Sequence, residues 1–581
     1  MLAVLHTVDY AVLIAYLVAM LAMGVWLSRK QTTDEEYFLG GRRMPWFAVG
    51  LSVIASLLSS LTYLSEPGEV WNSGVTQFFG KMLAIPLEML FVIVFIVPFM
   101  MRFRFTSAYE YLEYRFSRSV RTLGVVLFTA MAVLWMGFVV FLSSRALAEV
   151  MNIDLLVVLL TVGVVSTIYT YLGGLKAVVW TDVIQVLLLL GGGLFAIGYV
   201  AWTTGTWLPQ WYDAAGQWLQ HAPAANLAAG QSRPEPAAFF DSSPYVRSTI
   251  VTVAISMCVW HICTHAGNQM TLQRYFSTKD IKAARRSFIT GSIAGVVLNL
   301  MLMVVGLALL YFYFSQATVS AGGVLDIPLD GNLDELKRRD RDLIFATFAT
   351  ERLPAGLGGA IMAALLAAAM SSIDSGINSI ATVVSVEIKR HQQTEDAVGH
   401  THRAAQSHVK EARWLTLACG MFITVAAYGL SFLPAKWGAI DAMPRTFNAI
   451  TPAMGGLFLV GVFLPRVGAK PMMASIFLSL VTSISLGYYT EIGHWLQSQD
   501  WLPGVGYADP NIALIGGTAT GTARALTQVP GISFAWIMPC SLTVLMVSAW
   551  LLSFVIPNRK DMAGLTWQTR KQPCYLVPDE A

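Results

Sequence analysis

Residues Pro45 to Trp71 read PWFAVGLSVIASLLSSLTYLSEPGEVW. As a helix this stretch is long enough to cross about 30 Å of hydrocarbon. Within that length it carries Ser56, Ser59, Ser60, Thr62, Ser65, Glu66, Pro67 and Gly68. Pro67 lacks an amide donor and its ring clashes with the carbonyl one turn earlier, so a helical path is predicted to be interrupted or to end there. Backbone freed by such a break survives at membrane depth only when it is buried in protein or lines a cavity. The freed carbonyls can then bind a cation. The competing reading is that the serines are small residues in helix–helix contacts.

A second stretch, GLGGAIMAALLAAAMSSIDSGINSIATVVSVEIKR from Gly356 to Arg390, has a complementary character. A face of small residues is followed by Ser371, Ser372, Asp374, Ser375, Asn378 and Ser379. Sodium is a hard cation and takes carbonyl and hydroxyl oxygens. Ser371 and Ser372, with the Ala368 carbonyl, offer such oxygens from one helical turn. The small residues let another backbone come close enough to complete the shell. Asp374 inside a membrane helix marks function by default, either as an ion ligand or as the partner of a cation near the internal half.

The rest of the chain fits a bilayer setting. Its 581 residues are 55% hydrophobic and 13% charged, with mean hydropathy +0.59, too apolar for an ordinary soluble domain. The expected fold is an all-α polytopic membrane protein in one transporter domain, 1–581, with about 13 transmembrane helices. The spans are 8–28, 47–75, 77–101, 121–149, 153–171, 177–202, 246–268, 287–314, 355–388, 411–433, 445–465, 472–490 and 532–555. Alternating short strands of an outer-membrane barrel would look different. The first span has no basic residues before it and Arg29 and Lys30 after it, the reverse of a cleavable signal peptide.

Lysine and arginine are concentrated in every second connection, including Arg42, Arg115, Arg274, Lys389 and Arg466, and are nearly absent from 203–245 and 491–531. The positive-inside pattern places the N-terminus outside and the C-terminus in the cytoplasm of an inner or plasma membrane. Accordingly 203–245 and 491–531 are expected to be external loops and 391–410 an internal one. The segment 315–354 dissents with several basic residues but carries balancing acids. No basic domain or stacking-aromatic module points to nucleic acid. The five cysteines are too scattered for a disulfide framework.

Further ionisable groups in or beside spans are Lys81, Glu88, Arg145, Lys176 and Asp182. Lys81, at the external start of the third span, either snorkels outward or faces a cavity where it attracts a carboxylate. Asp182 is expected near the inner surface, paired with a loop arginine or attracting an ion that leaves inward. In the seventh span His261 and His265 are four apart and share a face with Trp260. They are too few for a metal site, so they read as cavity lining or as buried hydrogen-bonded histidines. The chain has no nucleotide-binding loop, and transport would draw on an existing gradient.

At these residues the sequence resembles the sodium/solute symporters, which include glucose, proline, pantothenate, iodide and monocarboxylate carriers. The matching pieces are EYFLGGRRMP (Glu36–Pro45), YLGGLKAVVWTDVIQ (Tyr171–Gln185), NQMTLQRYF (Asn268–Phe276) and AAMSSIDSGINS (Ala368–Ser379). The resemblance implies a leucine-transporter-like five-plus-five inverted repeat over 47–465, with 8–28 and 472–555 as peripheral helices. It implies sodium as the coupling ion, held by the carbonyls of Ala55, Leu58 and Ala368 and the hydroxyls of Ser371 and Ser372. Asp182 resembles a family position tied to sodium release or a second ion. No organic cofactor or other metal is implied.

The expected function is therefore sodium-coupled symport of a small organic solute from outside to cytoplasm, without chemistry on the solute. The solute is expected to bind near Ser59, Thr62, Tyr63, Trp71, Lys81, Trp260, His261, His265 and Gln269. Sugar carriers of the family tend to have a glutamate where this chain reads Lys81, and their sugar-covering tyrosine is replaced around Cys263 to His265. These departures favour a monocarboxylate or related anion over a sugar or polyol. A channel or a non-transporting sensor is the remaining alternative.

Overall fold

The computed structural model describes residues 5–28, 31, 33–221, 249–315, 318–319, 325–326, 343–396, 405–432, 439–489, 492, 495, 533–558, 560, 562–574 and 576. Most of the segments 203–245 and 491–531, expected to be external loops, and part of 391–410 with His400 and His402, lie outside the described residues.

The apolar runs seen in the sequence become long helices, because lipid cannot satisfy backbone groups and a helix satisfies them internally. In chain order they are α1 (Thr7–Ser28), α2 (Asp34–Leu39), α3 (Trp46–Leu57), α4 (Ser60–Ser73), α5 (Thr76–Met100), α6 (Glu110–Arg115), α7 (Arg118–Met151), α8 (Leu155–Thr204) and α9 (Leu208–His221). Then follow α10 (Ile250–Gly267), α11 (Gln269–Phe276), α12 (Ile281–Phe314), α13 (Ile344–Glu351), α14 (Leu357–Asp396), α15 (Ala405–Leu430), α16 (Ala439–Phe463), α17 (Ala469–Gly487) and α18 (Ile537–Val555). Among the described residues the only strands are a two-residue antiparallel pair, Thr318–Val319 with Leu325–Asp326. Among the described residues eleven helices are long and apolar enough to cross a bilayer, and α3 with α4 form a twelfth, bent by 67°.

One expectation about the breaks is corrected. The second span does not break at Pro67, which sits inside α4. It breaks at Leu58 and Ser59, both with extended backbone, because the Ser59 side chain caps the Thr62 amide (3.3 Å) and starts a new helix. The seventh span is interrupted too, at Asn268. Asn268 is extended, and its side chain accepts from the Met270 amide, which opens α11 in the same way. A third interruption lies inside α8 at Gly174, whose φ of 51° and ψ of −152° leave the helical region.

The centre of the protein is α14: of its membrane-crossing stretch 94% is buried, against 22% for α1. It packs on α8, α7, α1 and α15 and touches both α3 and α4. Its small-residue face permits this, since each missing side chain lets a neighbour approach. A Cβ on Gly359 would stand 2.5 Å from the Asp9 backbone, and one on Gly376 would stand 2.6 Å from Met136. Asp9 holds α1 against the start of α14 by accepting from the amides of Gly356 and Gly359 (both 2.7 Å).

The basic residues gather at one end of the bundle. Arg121 pairs with Glu113 and Glu387, Arg390 with Glu113, Lys389 with Asp34, and Arg42 with Glu35. Arg115 is fully buried there and donates to the carbonyls of Gly461, Leu464 and Val467, which ties α6 to the end of α16. The segment after α18 docks on the same end through Tyr111 to the Leu565 carbonyl and the Trp567 amide to Val462.

Gly174 is a demanding backbone position. Its φ is positive, and an added Cβ would meet the Tyr37 carbonyl at 2.6 Å. Gly174→Ala is expected to destabilise the protein by about 1–3 kcal/mol, read as an earlier thermal transition in detergent; an unchanged transition would mean that this junction is not fixed.

Candidate ion and solute site

The break between α3 and α4 faces α14 at the level of its serine pair. Ser371 Oγ lies 3.0 Å from both the Ala55 and the Ala368 carbonyls, and Ser372 Oγ lies 3.3 Å from that of Ala368. Ala55, Leu58, Ala368, Ser371 and Ser372 are all buried. In a continuous helix the Leu58 carbonyl would accept from the Thr62 amide, but Ser59 takes that donor. The geometry thus brings the Ala55 and Ala368 carbonyls and both hydroxyls together, and leaves the Leu58 carbonyl at the mouth of the break.

Immediately beside these oxygens is a charged network with no exposed member. Arg274 of α11 donates from Nε to Ser52 (2.6 Å), from Nη2 to Asp182 (3.1 Å) and Ser375 (2.5 Å), and from Nη1 to the Met270 carbonyl (2.7 Å). Ser52 also donates to Asp182 (2.5 Å), and Ser56 lies 3.0 Å from Ser375. Tyr169 donates to Asp374 at 2.6 Å, and Ser375 donates to the Ser371 carbonyl at 2.6 Å. Arg274 therefore latches α3, α8 and α14 to α11, the second piece of the other broken span. Asp182 is paired with Arg274, which lies on the helix α11 and not in a loop, and Asp374 is held by a tyrosine and a neighbouring serine. Asp182 Oδ1 and the whole Asn378 amide are buried without a hydrogen-bond partner.

On the other side of the same break lies a cavity of about 320 Å³. Leu57, Leu58 and Thr62 line it from α3 and α4, Lys81 and Glu88 from α5, Trp260, His261 and His265 from α10, and Trp135 and Phe447 from α7 and α16. Lys81 faces inward and pairs with Glu66. Glu88 approaches His261 Nδ1 at 3.2 Å, and His265 Nδ1 is 2.8 Å from the Tyr275 hydroxyl.

Four residues expected to bind solute do not line this cavity. Ser59 is occupied as the cap of α4. Tyr63 points to α8, where its hydroxyl donates to the Leu189 carbonyl (3.0 Å). Trp71 packs on Tyr313, with ring centroids 6.2 Å apart. Gln269 bridges the Thr106 carbonyl and the Ala108 amide on the inner side. The error came from assigning residues by their place along a broken helix, when rotation about the helix decides which face reaches the cavity. Trp135 and Phe447 were missed because they sit in plain apolar spans. Ser52 and Ser56 carried a signal in their spacing of four on one helical face.

The chain matches the model of the Sodium:solute symporter family over residues 37–478. It is 29% identical over 490 residues to the Sodium/sialic acid symporter SiaT of Proteus mirabilis, covering 84% of this chain and 90% of that protein. It is 28% identical to the Sodium-dependent multivitamin transporter of Oryctolagus cuniculus, covering 97% of this chain and 87% of that one. Sodium-coupled monocarboxylate transporter 2 of Homo sapiens is also 28% identical, over 91% of this chain and 79% of that one. Among solved structures, a substrate-bound, outward-open Na+-coupled sialic acid symporter superposes with a TM-score of 0.73 at 25% identity, covering 96% of this chain and all of that one.

Removing the Arg274 guanidinium would strand the Asp182 carboxylate in a dry interior. Arg274→Met is expected to cost about 3–5 kcal/mol, and adding Asp182→Asn should recover part of that loss. A double-mutant cycle on unfolding in detergent checks this; strictly additive losses would show that the two groups do not act as a pair.

Proposed function

This chain belongs to the sodium:solute symporter family, and from that premise we propose that the oxygens of Ala55, Leu58, Ala368, Ser371 and Ser372 hold the coupling sodium ion beside a cavity for a carboxylate-bearing solute. Sodium-coupled symport of a small organic solute across a membrane is the activity; the protein is a transporter and not an enzyme.

The observation that carries the site assignment is the meeting of α14 with the break. Two backbone carbonyls and two hydroxyls converge where the helix is interrupted, and sodium favours such a neutral oxygen set. Side chains of that same break line the cavity. An ion that fixes the break therefore also fixes the cavity wall, which gives the positive coupling that symport requires. Asp182, Asp374 and the unpartnered Asn378 lie inward of the site and form the release path for the ion. Release requires the Arg274 latch to open, because it joins the inner halves of both broken spans.

A five-plus-five inverted repeat over 47–465 is supported by exchange-symmetric packing. Broken span α3 packs on α12, and broken span α10 packs on α5, the corresponding helix of the other half. Glycines permit both contacts: a Cβ on Gly50 would meet the Ser287 carbonyl at 2.4 Å, and one on Gly80 would meet Val253 at 2.7 Å. Helix α8 has 50 residues, roughly 75 Å if straight, more than twice a bilayer core. Reading it as two crossings that meet at Gly174 brings the total to the thirteen expected, with the N-terminus outside. The basic end of the bundle, which α6, the end of α14 and the C-terminal segment share, is then cytoplasmic.

A carboxylate on the solute is supported by Lys81 facing the cavity and by relatives named for sialic acid and monocarboxylates. The sugar or polyol reading draws support from the uncharged polar lining, Gln77, Ser292, Asn299 and Asn448.

Uptake of labelled carboxylates, sugars and polyols into proteoliposomes, with and without an inward sodium gradient, tests the proposal. Sodium-driven accumulation of a carboxylate is expected. Ser372→Ala is expected to raise the sodium concentration for half-maximal uptake about tenfold, the equivalent of one lost ligand at about 1.4 kcal/mol. Uptake that is equal without sodium, or a mutant with unchanged sodium dependence, would contradict it.

A further inference from the structure

The charges on the cavity wall do not balance. Its charged side chains are Lys81, Glu66 and Glu88. Lys81 and Glu66 neutralise each other. Glu88 is 2% exposed, and its neighbour His261 lies at 3.2 Å but out of line, so that Glu88 Oε2 and His261 Nδ1 both lack a hydrogen-bond partner. A buried carboxyl group takes its charged form only where a counter-charge or donor meets it, so the site is incomplete at the Glu88 Oε2 atom.

The groups around Glu88 suit a cation. Trp260 packs edge-on against His261, with ring centroids 4.6 Å apart, and also lies beside Phe447 (6.3 Å), which packs on Trp135 (4.5 Å). All line the same cavity, and aromatic faces attract ammonium groups, most strongly where water is excluded. Lys81 gives one of its three donor positions to Glu66 and keeps others for a ligand. Lys81 and Glu88 stand seven residues apart on α5, two turns and roughly 10 Å along the helix. The cavity thus has an ammonium group, shared with Glu66, at one end and the Glu88 carboxyl, with an oxygen left without a donor, at the other.

From this geometry we infer that the transported solute carries, besides its carboxylate, a basic nitrogen several bonds away that binds Glu88 against the Trp260 and Phe447 rings. The carboxylate end meets Lys81. This assignment rests on the sodium-coupled carboxylate reading above and narrows it to solutes with two separated opposite charges. An α-amino acid, with both charges on one carbon, does not span the two groups. A plain monocarboxylate leaves Glu88 unanswered.

The test compares δ-aminovalerate, valerate and pentylamine as ligands of the purified protein in detergent, with and without sodium, read by the fluorescence of the cavity tryptophans. In the wild type with sodium, δ-aminovalerate is expected to bind about tenfold or more tightly than valerate or pentylamine. Glu88→Gln, a neutral near-isostere, should bring δ-aminovalerate to within about twofold of valerate while valerate binding persists, which also shows that the variant is folded. The inference is overturned if valerate binds as well as δ-aminovalerate, if Glu88→Gln keeps the preference, or if δ-aminovalerate does not bind. Sodium-dependent valerate binding without the amine preference would leave the symport reading standing and remove only this assignment. Binding of every ligand without regard to sodium would remove the symport reading itself.

Discussion

Everything in this protein depends on a helix that is broken where it cannot be hydrated by lipid. The break at Leu58 and Ser59 frees the Ala55 carbonyl from its helix, and the fold supplies it with the Ser371 hydroxyl of α14, the most enclosed of the described membrane-crossing helices. This requirement explains why α14 is lined with alanine, glycine and serine. Larger residues would hold α3 and α4 away, and the hydroxyls of Ser371 and Ser372 would then face hydrocarbon. The cavity and the latch are arranged around this contact, one on each side of it.

The arrangement is suited to two states. Small-residue packing surfaces can slide without leaving voids, and the Arg274 network makes many bonds that all depend on the inner halves of the two broken spans staying together. A network of that kind holds fully or opens as a unit, since a half-open state would leave a guanidinium and two carboxylates buried without partners. In the proposed site assignment sodium and solute would both touch the α3–α4 break, and each would bias the same equilibrium. No longer route of communication is required.

Much of the fold was legible in the sequence, because hydropathy and the lysine and arginine distribution reflect the bilayer directly. The position of the serine pair on α14 was legible for a related reason: hydroxyls following a small-residue face in a membrane helix have few other uses. Where the helices break was harder to read. Pro67 is the strongest local breaker in the second span, yet the helix accommodates it, while side-chain caps at Ser59 and Asn268 decide the two breaks. Caps depend on a short side chain folding back on its own backbone, and many serines and asparagines look alike in a string of letters. The cavity lining was the least legible part. Tyr63, Trp71 and Gln269 were placed by proximity in sequence, whereas Trp135 and Phe447 reach the cavity from helices with no polar mark. The Lys81–Glu66 pair joins two helices across the cavity and emerges only from tertiary packing.

The central claim is that one break joins the ion to the solute, and it is tested most directly by reciprocity. Sodium affinity of the purified protein would be measured with and without saturating solute, and solute affinity with and without saturating sodium. The account predicts that each ligand tightens the other by the same factor, and that Ser371→Ala reduces both factors together. A sodium affinity that does not respond to solute would contradict it.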